Sequence, residues 1–133
     1  MTRRLRLPFV ALILASTALS LSGCGYEEKA ASIEAALIED VEPIPGVITV
    51  DPHVNANTSG TFITLSVTAD SYDEDEIKRV AREALKVILN DPRIGYGSFS
   101  MGVFSPDKTI NIGPSDVGCH GKGTTDSLRG CVL

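Results

Sequence analysis

Ile63, Leu65, Val67 and Ala69 alternate with Thr64, Ser66, Thr68 and Asp70, and this period of two constrains the fold more than any other feature of the chain. It describes a strand with one apolar and one polar face, so something must cover the first while water suffices for the second. Just upstream, Ile48, Val50 and Val54 oppose Thr49, Asp51, His53 and Asn55, and Ala56 to Gly60 supply turn residues between the two runs. The pattern predicts an antiparallel hairpin with one buried and one wet face. Pro52 has no N–H to donate, which places the first strand at a sheet edge or at a bulge.

The cover is found on either side of the hairpin. Ile33, Ala36, Leu37 and Val41 mark one face of a helix over Lys29 to Val41, which Glu42-Pro43-Ile44-Pro45-Gly46 ends. Ser71-x-x-Glu74 reads as a capping box, and Asp73 to Glu76 place acids at the electropositive start of a second helix over Asp73 to Asn90. Its apolar stripe is Ile77, Val80, Ala81, Ala84, Leu85 and Ile88, with Glu74/Lys78 and Asp75/Arg79 as i,i+4 pairs on the wet side. Asn90-Asp91-Pro92 closes it. A second hairpin follows, with Phe99, Met101 and Val103 inward, Ser105-Pro106-Asp107-Lys108 turning, and Ile110 and Ile112 inward again.

Two amphipathic helices and four half-buried strands share their apolar surfaces most economically as an α+β two-layer sandwich. The expected form is an αββαββ order, with both helices on one face of an antiparallel four-stranded sheet, a permuted ferredoxin-like arrangement. The domain spans residues 29–112, followed by a glycine-rich tail over 113–133. The chain is 43% hydrophobic with 22% charged residues and no Trp, so it can build a core, and that core is aliphatic. Net charge is -5, but Arg3, Arg4 and Arg6 lie at the front; without them nine basic residues face 17 acidic ones. So acidic a surface repels phosphates, and no nucleic acid partner is expected.

The front segment has its own character. Met1 to Pro8 carry three arginines and no acid, and Phe9 to Leu21 is a 13-residue apolar run, the n-region and h-region of a secretory signal and too short for a comfortable bilayer span. Leu21-Ser22-Gly23-Cys24 then resembles the lipobox of bacterial lipoproteins. The resemblance implies that Cys24 accepts a diacylglyceryl group, that signal peptidase II removes residues 1–23, and that residues 24–28 form a lipidated tether. Two or three acyl chains, palmitate among them, would hold such a protein stably on the extracytoplasmic face of a cell membrane, since each buried methylene contributes about 0.8 kcal/mol. Thr2-Arg3-Arg4-Leu5-Arg6-Leu7 also resembles a twin-arginine export signal, with Arg6 where that motif prefers Phe, so the export route stays open between this and the general secretory one.

With Cys24 assigned to lipid, Cys119 and Cys131 remain as an even pair in an oxidising compartment, and a disulfide is expected between them. The competing metal or redox site from Cys119, His120 and Cys131 lacks C-x-x-C spacing. The mature domain is similar to small actinobacterial lipoproteins of unknown function, through Pro45-Gly46-Val47 at the entry to a long hairpin and the acidic helix start Asp73 to Glu76. This similarity covers about Ala30 to Val103 and implies a fold and an address.

Chemistry is sparsely marked. Asp51, His53 and Asn55, with Thr49, Thr64, Ser66 and Thr68, share the wet face of the first hairpin; they form either a ligand face for a metal or small polar solute, or the solvated side that any open sheet has. Gly95-Tyr96-Gly97-Ser98-Phe99-Ser100 leads into a strand and not a helix, and Gly121-Lys122-Gly123-Thr124 lacks the Ser or Thr that follows a Walker lysine, so neither is a phosphate loop. There is no G-x-S-x-G or H-E-x-x-H, and only His53 and His120 are ready bases near neutral pH. The expectation is a non-enzymatic interaction or structural domain of the cell envelope, with no catalytic residue, metal or cofactor. It would meet the membrane through Cys24 and an envelope protein through its open sheet edges. The alternative is a metal or polar-solute binder using the Asp51/His53 face.

Overall fold

A computed structural model describes residues 24–131 and residue 133. The front segment to Gly23, the thiol of Cys24 and Val132 lie outside the described residues, and with them the signal and lipidation expectations.

The chain forms an α+β two-layer sandwich. Helix α1 (Cys24–Val41) is followed by β1 (Val47–Asn57) and β2 (Gly60–Ala69), then by α2 (Glu74–Leu89), β3 (Ser98–Phe104) and β4 (Asn111–Ile112). Both helices lie on one face of the sheet, because Ile63, Leu65, Val67 and Ala69 of β2 are buried while the alternate positions of that strand reach solvent. The apolar stripe of α2 is buried throughout, and Ile33, Ala36, Leu37 and Val41 of α1 join it in one aliphatic core with Phe99, Met101 and Val103 of β3.

The sheet order is β1-β2-β3-β4, and it corrects the expected topology. The sheet is mixed, not antiparallel: β2 and β3 run parallel from Phe62 opposite Ser98 to Thr68 opposite Phe104. The cause is α2, whose 16 residues carry the chain about 24 Å back along the sheet so that β3 starts at the same end as β2. In a permuted ferredoxin-like sheet the last strand would separate these two. Here β4, two residues long, pairs outside β3 through Val103–Ile112 and Phe104–Asn111.

Smaller expectations are also revised. The tether reading of residues 24–28 gives way to helix, since no strong breaker separates Cys24 from the first buried turn at Ile33. Ile48 does not face inward and is 50% exposed. The register slips between Val47 and Thr49, so Val47 and Val50 both turn to the core and the two residues between them, Ile48 and Thr49, face out. The hairpin closes on Thr58-Ser59 with Asn57 opposite Gly60, tighter than the five-residue turn expected. Asp73, not Ser71, is the cap of α2; its carboxylate accepts from the N–H groups of Asp75 and Glu76, while Ser71 Oγ accepts from Asp73 N–H. Glu74 and Lys78 pair at 2.9 Å, but Arg79 turns to Glu76 and Glu83 instead of Asp75. Gly46 enters β1 at φ +91° with a Cβ position only 3.2 Å from Arg79 Nη2, so any side chain there is both strained and crowded.

The tail is ordered by docking. A 3₁₀ turn (Pro114–Val117) and a short helix α3 (Thr125–Arg129) bring Cys119 and Cys131 together with Cα atoms 5.4 Å apart and sulfurs at disulfide-bonding distance. Phe99 N–H donates to Gly123 O at 2.7 Å, and Thr124 bridges Ser98, so this segment covers the part of β3 that β4 does not reach.

Candidate functional site

The uncovered face of the sheet is the first candidate. Asp51, His53 and Asn55 stand on it in line along β1, all exposed. Register places Asp51 opposite Ser66, His53 opposite Thr64 and Asn55 opposite Phe62. The parallel pairing then extends each row by one strand: Ser66 meets Gly102, Thr64 meets Ser100, and Phe62 meets Ser98. Sequence reasoning joined β1 and β2 on this face and missed β3. The signal was present in Ser98, Ser100 and Gly102 alternating with Phe99, Met101 and Val103, but a strand's pairing partner is not written in its own period. At the far end, a Cβ on Gly102 would stand 2.8 Å from both Asn111 Oδ1 and the Phe104 ring, so those two side chains lie over the glycine.

Chemically the face is polar and nearly uncharged. The outward positions of β1, β2 and β3 hold hydroxyls, amides, Phe62, Phe104 and the exposed Ile48, with Asp51 as their acid and His53 as their imidazole. As metal ligands, Asp51 and His53 would be two donors; among the described residues no group of three or more His, Cys, Asp or Glu side chains is placed to hold a metal ion.

The edges are less open than the sequence suggests. Counting from the Asn57–Gly60 closure, Pro52 sits opposite Leu65 at a position whose N–H would point away from β2, so proline costs the ladder nothing and removes a donor from the free edge. Two residues on, Val54 N–H, which faces the same way, already donates to Glu34 Oε1 at 2.9 Å. The middle of β1 is therefore a poor template for another strand.

A second cluster joins the end of α1 to the loop after α2. Asp91, 8% exposed, accepts from the backbone N–H and Nε of Arg93, and from Arg93 Nη2 at 2.7 Å. Arg93 also reaches Glu39 at 3.0 Å and Asp40 at 3.4 Å. Asp40 Oδ2 is buried without a hydrogen-bond partner. Burial, and next a hydrogen bond with Asp91, raise the Asp40 pKa to about 6. The bond to Arg93 holds Asp91 well below the usual carboxylate range. A proton on Asp40 converts a stranded acceptor into a donor to Asp91, and the three side chains together clamp α1 to the loop.

The third candidate is a cleft of about 200 Å³ beside the tail, lined by Phe99, Met101, Pro114, Cys119 and Leu128 with Ser100 and Ser115. Cys119 in its wall is paired with Cys131, and His120 is exposed, so the Cys119/His120/Cys131 metal alternative loses its thiolates. Gly121 packs where a Cβ would meet Ser127 Oγ at 2.7 Å, and Gly123 faces Phe99, so Gly121 to Thr124 serve to dock the tail.

Comparison with protein-family models, with curated proteins and with solved structures returned no match. The reading of function therefore rests on this chain's own residues.

Proposed function

We propose that the protein is a lipid-anchored, extracytoplasmic domain that works by contact through the open face of its sheet. The observation that carries the address is the run Leu21-Ser22-Gly23-Cys24 behind an arginine-rich, apolar leader. Pairing of Cys119 with Cys131 supports it, since Cys24 is then the single cysteine left for acylation. The contact reading is supported by a broad exposed polar face, by a β1 edge blunted at Pro52 and Val54, and by the absence of a third metal donor beside Asp51 and His53 among the described residues.

Cys24→Ser is the direct test of the anchor. Expressed in a bacterium, the native chain is expected in the membrane fraction and released by detergent, while the variant stays with its leader attached and carries no acyl group. An unchanged acylation pattern in the variant would overturn the assignment. Of the two readings of the open face, a polar solute fits better than a metal, because hydroxyls and amides outnumber anionic donors on it.

A further inference from the structure

We infer that the open face of the sheet binds an uncharged glycan chain, a claim that deepens the contact reading and does not depend on acylation at Cys24. The chain holds 12 Lys and Arg and 17 Asp and Glu, yet no Lys or Arg occupies an outward position of β1, β2 or β3, and Asp51, at the β1 margin, is their single acid. A charged ligand finds almost nothing to pair with there. An apolar partner would bury the hydroxyls of Thr64, Ser66, Ser98 and Ser100 without returning a hydrogen bond, which is unfavourable.

A sugar chain meets both conditions. Its hydroxyls donate and accept in turn, matching side chains that do the same, directly or through water. Its apolar ring faces need flat apolar partners, and these stand at the two ends of the face. Phe62, 43% exposed, lies in the row of Ser98, and Phe104 lies in the row of Thr68, six positions along the parallel register. At about 3.3 Å per residue the two backbone rows are about 20 Å apart along the strands, and the Phe104 ring leans back over Gly102, so the rings bracket the Thr64–Ser100 row at a shorter spacing. The geometry suits an extended oligosaccharide running along β2 and β3, with the Asn55 amide at its side. A second copy of this acidic chain would set one net charge of -5 against another, with no Lys or Arg on the face to offset them.

The test is calorimetric titration of the purified full-length chain, in mild detergent, with tetramers of β-1,4-linked glucose and of N-acetylglucosamine. The expected result is saturable binding of at least one tetramer, insensitive to salt because no charge is used. Ser66→Lys, which plants a long cation mid-face, is expected to weaken it about tenfold or more, and Thr64→Lys to do the same. Ala31→Lys, the same charge change on the exposed side of α1, is expected to leave it unchanged. Melting curves of the three variants establish that each is folded. No binding to either tetramer, binding that Ser66→Lys and Thr64→Lys both spare, or a self-association that Ser66→Lys abolishes would each overturn the inference, the last by giving the face to a second copy. None of these outcomes bears on Cys24, so the anchor reading stands or falls separately.

Discussion

Thr125 hangs the tail on the domain with one hydroxyl, which donates to Gly95 O at 2.8 Å and accepts from Gly97 N–H at 3.1 Å while its own N–H reaches Gly97 O. The residue is fully buried, so Thr125→Val keeps the shape and strands the Gly97 N–H, while Gly95 O keeps its bond from Arg129 Nη2. Unfolding in urea is expected to show a loss of about 1–3 kcal/mol, with Thr125→Ser recovering most of it. Asp40 carries the opposite kind of risk, a carboxyl that meets Arg93 through Oδ1 but whose Oδ2 is buried without a hydrogen-bond partner. Because its folded-state pKa is raised to about 6 from 3.8, the folded chain holds that proton more tightly than the unfolded one. The resulting stability is complete below about pH 4 and is lost as pH rises through 6. Asp91 is shifted the other way and stays ionised over that range. Melting temperature measured from pH 5 to 7.5 should therefore fall more steeply in the native chain than in Asp40→Asn; parallel profiles would show that the proton is not held there.

Among the elements, α2 was the most legible, because amphipathic period, acidic start and Asn90 at its end all agree, and every stripe residue named from the sequence is buried. Its cap was misplaced by two residues, since Ser71, Asp73 and Glu74 offer competing side chains to the same N–H groups and only backbone geometry chooses. Asp73→Ala should lower stability by about 1 kcal/mol, and Ser71→Ala by less, in matched denaturation curves. The β strands were found, but their partners were not. Nothing in Phe99, Met101 and Val103 says that the strand they define lies parallel to β2; the length of α2 and the two-residue extent of β4 decide that. The Ile48 error has a similar origin, because a bulge leaves the apolar residues in place and changes only which of them faces in. Of the candidate site, the β1 and β2 rows were legible from alternation, while the third row from Ser98 and Ser100, and the Glu34 contact that blunts the edge, depend on segments distant in sequence.

At the scale of the whole molecule, the three cysteines divide in the proposed reading between two tasks, acylation at Cys24 and the pairing of the other two. Cys119 and Cys131 close a loop with a sequence separation of 12, and reduction is expected to cost about 3 kcal/mol in the chain-entropy account, seen as a lower melting temperature in dithiothreitol than in oxidised buffer. α1 begins at Cys24 itself, so an acyl chain on that sulfur would join a helix directly, with Gly25 to Lys29 exposed around its first turns. A single aliphatic core then couples this helix to the sheet, and the polar face on the other side of the sheet is left for contact. The measurement that bears most directly on this account is intact-protein mass spectrometry of the chain purified from its native membrane. The account predicts loss of residues 1–23, an added mass of two or three acyl chains on Cys24, and two fewer hydrogens for the Cys119–Cys131 bond. A free Cys24 thiol, or a retained leader, would contradict it.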